Sequence, residues 1–95
     1  MKKVTAKTYS SVWDAIAESP QEAANLRLRA ELMEKITAII AKKGWTQLEA
    51  AGHCAITQPR INDLVRGRIS RFSLDALVNI ASALGRRVRV ELKAA

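Results

Sequence analysis

The residue that most constrains the fold of this chain is Pro59, which lies near the start of a segment with helical spacing. Ile61, Leu64 and Val65 recur there at three- and four-residue intervals. A proline breaks a helix interior, but it is tolerated in the first turn, where the N–H groups have no internal partner. We therefore predict that a helix begins at this point, with Thr57 as its N-cap, and runs to about Val65.

A second short helix is predicted immediately before this one. Thr46 and Glu49 have the spacing of a capping box, in which each side chain binds the backbone N–H of the other residue. The helix should end near His53 or Cys54, so that a tight turn joins it to the helix that starts after Thr57. Two short helices joined in this way form a helix-turn-helix, whose second helix can lie in the major groove of DNA.

The other helices are predicted mainly from the residues that cap their starts and the glycines that end them. Residues 19–22, Ser-Pro-Gln-Glu, form another capping box with proline at the first helical position, and the long helix that follows should stop at Gly44. Ser73 caps a further helix that stops at Gly85, and Ser11 starts a short one that runs through about Glu18. Apolar and charged residues alternate over Arg87–Leu92, which indicates a half-buried β-strand.

These elements predict a mainly all-α fold, a bundle of about five helices with a C-terminal β-strand. Residues 20–95 should form one helix-turn-helix domain, preceded over residues 1–19 by an arm with a short helix. A lone strand leaves its backbone groups unpaired, so Arg87–Leu92 needs a partner. That partner is the stretch Val4–Lys7, a second copy of the strand or another protein, and the sequence leaves the three alternatives open.

The charge of the chain is positive and unevenly distributed. Sixteen Lys and Arg residues outnumber nine Asp and Glu residues, for a formal net charge of +7. Residues 58–95 hold eight of the basic side chains and only three acidic ones, whereas residues 11–34 are acidic overall. A basic half on an otherwise nearly neutral chain points to a polyanionic partner, although a merely soluble basic surface would have the same composition.

Several classes of function are disfavoured by what the sequence lacks. A single cysteine, Cys54, rules out an intramolecular disulfide and a cysteine-rich metal cluster, so we expect no metal and no other cofactor. No apolar run approaches the roughly 18 residues of a membrane span, and the basic start is followed by a stretch too polar for a signal peptide. We therefore expect a cytoplasmic protein without membrane association. Because no carboxylate pair, nucleophile–base set or phosphate-binding glycine loop is evident, we expect no enzymatic activity.

The exposed side chains at the start of the second helix of the motif are the predicted base-contacting residues. They are Gln58, Pro59, Arg60 and Asn62. Glutamine and asparagine can pair with adenine, arginine with guanine, and a proline ring can pack on a thymine methyl group. Arg66, Arg68 and Arg71 follow the helix and are expected to meet phosphates.

The segment TQLEAAGHCAITQPRINDLVRG, followed by FSLDALVNIASALG, resembles the DNA-binding domain of Cro- and lambda-repressor-like (XRE-type) regulators over about residues 44–92. The resemblance implies that Gln47 binds a phosphate and braces the second helix, and that Gln58 is the principal base-contacting residue. It also implies that residues 66–68 contact the DNA backbone. The expected phosphate-binding set is Thr46, Gln47, Thr57, Arg66, Arg68 and Arg71.

The upstream segments VWDAI and SPQEAANLRLRAELM make the chain look more narrowly like the HigA-type antitoxins. This resemblance implies a small repressor, usually a homodimer, that neutralises a HigB/RelE-like mRNA-cleaving toxin and represses its own operon. The sequence departs from the wider family at Ala55, where the turn usually has a left-handed glycine. Alanine at positive φ costs about 1 kcal/mol.

Two other functions compete with this interpretation. One is a phage- or plasmid-type regulator that binds DNA and has no toxin partner. The other is a protein-binding adaptor that uses the helix-turn-helix as a scaffold. In that case Trp13, which otherwise caps the core, would be a partner anchor, because tryptophan is enriched at the centres of interfaces. Trp45, His53 and Cys54 are expected to have structural roles, with Cys54 as a buried thiol.

Overall fold

The structure is a computed structural model that describes Trp13 and residues 15–94. Between residues 20 and 94 the chain is mainly helical, as predicted. Its elements are α1 (Pro20–Lys43), α2 (Gln47–Cys54), α3 (Gln58–Val65), a 3-10 helix (Ile69–Arg71) and α4 (Leu74–Ala83). Trp13, Ala15 and Ile16 are also helical, but the predicted start of this first short helix at Ser11 lies outside the described residues. No helix in the described part of the chain is long and apolar enough to cross a membrane.

Helix α1 begins and ends where its sequence predicts. The Glu22 N–H donates to Ser19 Oγ at 3.1 Å, Pro20 occupies the first turn, and Gly44 ends the helix with a φ of 68°. The capping box differs in one detail, because the Glu22 carboxylate accepts from the Glu18 N–H at 3.2 Å and not from that of Ser19. The glutamate thus still satisfies a donor that precedes the helix, one residue further upstream.

Helix α4 is fixed at both ends by local bonds. Ser73 Oγ accepts from the Ala76 N–H at 3.1 Å, which confirms the predicted N-cap. Phe72 and Leu77, which have the spacing of a hydrophobic staple across this start, are both buried in the core. At the other end Gly85 has a φ of 75° and donates its N–H to the Ser82 carbonyl at 2.9 Å.

The core lies where α1 packs across α3, the 3-10 helix and α4, with α2 packed on α3 and α4. Most of its large side chains are almost completely removed from solvent, and each such burial contributes about 1.5–3 kcal/mol. Its residues are Met33, Ile36, Ile40, Ala50, Ala51, Cys54, Ile61, Leu64, Phe72, Leu77 and Ile80. Helices α2 and α3 therefore share one core with the scaffold helix α1.

The predicted C-terminal strand over Arg87–Leu92 is not formed within the described residues. Residues 86–94 have neither helical nor strand structure. Val88 is half-buried and lines a groove with α1, but Val90 is 81% exposed and Leu92 is 96% exposed. A strand needs a neighbour to pair its N–H and C=O groups, and no described segment of this chain supplies one. The candidate partner stretch Val4–Lys7 lies outside the described residues.

Candidate nucleic-acid interface

Helix α2 starts with the complete capping box that its sequence predicts. The Glu49 N–H donates to Thr46 Oγ1 at 3.1 Å, and the Thr46 N–H donates to Glu49 Oε1 at 2.9 Å. Accepting the Thr46 backbone N–H lowers the pKa of the Glu49 carboxyl, because the bond favours the charged form. Gln47, the predicted phosphate-binding residue, is exposed at this end of the helix, where unpaired N–H groups carry partial positive charge.

The turn between α2 and α3 has the left-handed residue that the family resemblance places at Ala55. Ala55 has a φ of 57° and is the only described residue other than glycine with positive φ. The Ile56 N–H donates to the Ala51 carbonyl at 3.1 Å, and the Ala55 N–H donates to the Gly52 carbonyl at 3.4 Å. These bonds close a Schellman motif, which reverses the chain within a few residues.

Helix α3 begins at Gln58, as the position of the proline predicts. The Arg60 N–H donates to Thr57 Oγ1 at 3.4 Å, and Pro59 lies in the first turn, where its missing N–H is not needed. Ile61 and Leu64 are buried on the inner side of the helix. Gln58 and Pro59 are exposed in the first turn and Asn62 is partly exposed in the second, so three of the four predicted base-contacting residues lie on one side of α3 at helical spacing.

Arg60, the fourth predicted base-contacting residue, turns back toward the protein. Its guanidinium lies over the ring of Phe72, 4.2 Å from the centroid, where the face of the ring attracts a cation. Arg60 Nη1 also donates to the Arg71 carbonyl at 2.7 Å. The side chain therefore joins α3 to the segment that precedes α4.

The loop after α3 carries the three predicted phosphate-binding arginines. Arg66 is exposed and its side chain makes no hydrogen bond or ion pair with the described residues. Arg68 and Arg71 both pair with Asp63, through Nη1–Oδ1 and Nη1–Oδ2 distances of 3.1 Å and 3.4 Å. Their side chains are still 43% and 57% exposed, so the ion pairs leave both side chains accessible to solvent.

Asp63 is the residue of this region that sequence reasoning missed. It is the only buried charged residue among those described, and only 7% of it is exposed. The available signal was a lone acid in a basic stretch, five and eight residues before Arg68 and Arg71. That spacing crosses a helix end and a loop, so no helical periodicity could have revealed the pairing.

Arg29 of α1 is a second residue that sequence reasoning missed. Its Nη1 donates to the carbonyls of Ile69 and Phe72 at 3.2 Å and 3.3 Å, and its Nε donates to Asn25 Oδ1 at 2.7 Å. Helix α1 thus binds the backbone at both ends of residues 69–72, which contain the 3-10 helix. The two carbonyls lie 40 and 43 positions further along the chain, so this is a tertiary contact without a local sequence signal.

Three residues near the ends of α2 were expected to have structural roles, namely Trp45, His53 and Cys54. The rings of Trp45 and His53 stack with centroids 3.9 Å apart and an interplanar angle of 11°. Cys54 is buried in the core, and burial raises the pKa of its thiol by disfavouring the thiolate.

The hydroxyls of Thr46 and Thr57, predicted to lie at phosphates, serve as caps for the starts of α2 and α3.

Comparison with protein families agrees with this geometry. Residues 15–93 match the family described as helix-turn-helix domain. A search of the curated proteins gave no match. The family match spans α1 to α4 as well as residues 86–93, which follow α4.

Proposed function

Because the chain belongs to the helix-turn-helix domain family, we propose that it is a sequence-specific transcriptional repressor that binds double-stranded DNA through α3. The observation that carries this proposal is the exposure of Gln58 and Pro59, with partly exposed Asn62, on one side of the first two turns of α3. The basic loop that follows the helix returns to its first turn at Arg71, whose carbonyl accepts from Arg60 Nη1 at 2.7 Å. A helix presented in this way, with arginines next to it, suits the major groove and its flanking phosphates.

The proposed contacts follow from the chemistry of the side chains. The side-chain amides of Gln58 and Asn62 can donate to N7 of adenine and accept from its N6 amino group. Pro59 offers an apolar ring to a thymine methyl group. The exposed cationic side chain of Arg66 pairs with none of the described residues, which leaves it available for a phosphate. Gln47 lies at the start of α2, where helix N-termini favour anions. Phosphate contacts set position and affinity, and base contacts set the preferred sequence.

We also propose that the repressor acts as a homodimer through residues 88–92 of two copies. In an antiparallel pair, opposing side chains share one face, so the apolar residues of one strand must oppose the apolar residues of the other. A two-fold axis at Val90 satisfies this rule and places Arg89 opposite Glu91 of the second copy. Axes at Arg89 or at Glu91 would set two like charges against each other.

This dimer would give the exposed residues of the C-terminal segment a partner. Val90 and Leu92 are largely exposed in the single chain, and the backbone of residues 86–94 forms no strand there. A two-fold pair of α3 helices matches a two-fold DNA site whose half-sites lie about one helical turn apart. One dimer would therefore both pair the C-terminal segments and give the two-fold symmetry that operator binding requires.

A finer proposal is that the repressor is the antitoxin of a HigB/RelE-like toxin and controls its own operon. Its support is the resemblance of VWDAI and SPQEAANLRLRAELM to the HigA-type antitoxins. Co-expression with a RelE-like ribonuclease from the same operon tests it. Relief of growth arrest together with a stable complex supports the antitoxin role, whereas persistent arrest without a complex favours a regulator that has no toxin partner.

The DNA-binding proposal is tested by titrating the purified chain against its own upstream promoter DNA. The measurement uses wild type and Gln58→Ala, excess competitor DNA and two salt concentrations. We expect wild type to prefer one two-fold site and the variant to lose about 1–3 kcal/mol of discrimination. Equal binding of all sequences by both proteins would remove base contact through Gln58 from the proposal and favour the adaptor interpretation.

A further inference from the structure

We infer that Asp63 and Arg60 are positioning residues of the DNA interface, which hold the loop between α3 and α4 where its arginines can meet phosphates. The inference rests on the proposed DNA-binding function and deepens it. It assigns a role to Asp63, and it moves Arg60 from base contact to support of the loop.

Asp63 holds two cationic side chains from the protein side. Its Oδ1 accepts from Arg68 Nη1 at 3.1 Å, and its Oδ2 accepts from Arg71 Nη1 at 3.4 Å. The carboxylate is nearly buried, whereas both arginine side chains remain about half exposed. Because a guanidinium has five N–H donors, each arginine retains donors for a phosphate after it has bonded to the carboxylate. Asp63 thus sets where these two guanidinium groups lie relative to α3.

Arg60 holds the same loop through its backbone. Its Nη1 donates to the Arg71 carbonyl at 2.7 Å while its guanidinium stacks on Phe72. Arg71 is therefore held twice from α3, at its side chain by Asp63 and at its carbonyl by Arg60. Bidentate contact with guanine would take the Arg60 donors away from this site and leave the ring of Phe72 uncovered.

Helix α1 holds the loop from the other side. Arg29 Nη1 donates to the carbonyls of Ile69 and Phe72, which bracket Arg71 in the sequence. The loop is thus fixed to both the scaffold helix and α3. The distance between the base-contacting residues of α3 and the loop arginines is then set by the protein before DNA binds, which lowers the ordering cost of binding.

Charge alone and positioning predict opposite effects for one substitution. Asp63→Asn removes a negative charge beside the interface, so general electrostatics predicts tighter DNA binding and a steeper dependence on salt. Positioning predicts weaker binding, since Arg68 and Arg71 lose the group that holds them. The sign of the change therefore separates the two roles. Asp75→Asn is the matched control, because it makes the same chemical change at an exposed acid of α4.

The experiment measures affinity of the full chain for its operator at four or more salt concentrations. The active fraction is determined by stoichiometric titration and folding by thermal melting. For Asp63→Asn we expect about tenfold weaker binding, with the slope of log affinity against log salt reduced by about 1–2 because one or two phosphate contacts are lost. Asp75→Asn should bind as wild type does or slightly more tightly. Binding by Asp63→Asn that equals or exceeds that of wild type, at an unchanged or steeper slope, would overturn the inference.

Arg60→Lys gives an independent test and keeps the inference testable if Asp63→Asn does not fold. The substitution retains the charge but lacks the planar fork that bonds Arg71 while it stacks on Phe72. We expect a uniform loss of affinity across operators with single base-pair changes, with the preferred sequence unchanged. Loss of discrimination at one base pair would show that Arg60 contacts that base, and would overturn its positioning role. If the wild-type protein shows no preferred DNA site, the proposed function is contradicted. If the wild-type protein does show a preferred site, variants that do not behave as expected contradict only the positioning roles of Asp63 and Arg60.

Discussion

Thr46 and Glu49 exchange hydrogen bonds at the start of α2, where each side chain accepts from the backbone N–H of the other at 3.1 Å and 2.9 Å. This pair fixes the first turn of the helix that braces α3. It also makes the helix start sensitive to protonation, since the Glu49 carboxylate accepts its bond best when it is charged.

The first prediction concerns the pH dependence of this helix start. Hydrogen bonding to Thr46 lowers the pKa of Glu49 in the folded state, so its contribution to the free energy of unfolding is fully present above its unfolded-state pKa. It should be lost as the pH falls through the lowered folded-state value. Free energies of unfolding measured from pH 7 to acid should therefore fall less steeply for Glu49→Gln, which keeps an acceptor but does not titrate. Identical pH profiles would contradict this role for Glu49.

The second prediction concerns the left-handed turn residue Ala55. Replacing Ala55 with glycine should raise the free energy of unfolding by about 1 kcal/mol, because glycine adopts positive φ without the clash of a Cβ atom. Urea denaturation measures the change. Ala38→Gly on the exposed face of α1 is the matched control, and it should lower the free energy by about the same amount. A loss of stability at both positions would mean that Ala55 is not strained.

The helix boundaries could be predicted because they depend on residues close together in the sequence. Ser19, Thr46, Thr57 and Ser73 each accept the N–H of the residue three positions later, as their side chains predict. The family resemblance placed the left-handed turn position at Ala55 and left open whether the turn is reshaped there; Ala55 adopts the left-handed conformation. Each of these features is decided within a few residues, where capping and steric rules apply directly.

The support of the loop after α3 could not be predicted, because its partners are brought together only by the tertiary fold. Arg29 reaches carbonyls 40 and 43 positions away, and Asp63 pairs with arginines across the end of its own helix. The predicted strand over Arg87–Leu92 is not formed within the described residues for a related reason. Alternation indicates that a segment can form a strand, but pairing depends on a neighbour that the described chain does not contain.

The third prediction tests the grip of α1 on this loop. Arg29→Met keeps much of the apolar stem of the side chain and removes the donors to the Ile69 and Phe72 carbonyls. We expect the free energy of unfolding to fall by about 1.5 kcal/mol, the scale of a partly buried hydrogen bond from a charged group. Lys35→Met, at an exposed position of the same helix, should change it by less than about 0.5 kcal/mol. Equal effects in urea denaturation would show that only charge on α1 matters.

The fourth prediction tests the register of the proposed dimer. With the two-fold axis at Val90, Arg89 of each copy opposes Glu91 of the other, so the pair occurs twice. Arg89→Glu alone or Glu91→Arg alone would set like charges opposite each other at both places, and each should weaken dimerisation by about 1 kcal/mol or more. The double substitution restores opposite charges with the net charge unchanged, so it should recover the wild-type dimer constant. Sedimentation equilibrium without DNA measures all four proteins.

The double substitution also separates register from general electrostatics. Within one chain, Glu91 lies 3.9 Å from Lys93, but both side chains are largely exposed, and such a pair contributes little. Recovery in the double variant therefore cannot come from that contact, which the exchange would turn into a like-charge pair. A dimer that both single variants weaken and the double variant does not restore would contradict the register at Val90. A wild-type chain that stays monomeric at all concentrations would contradict pairing of two C-terminal segments altogether.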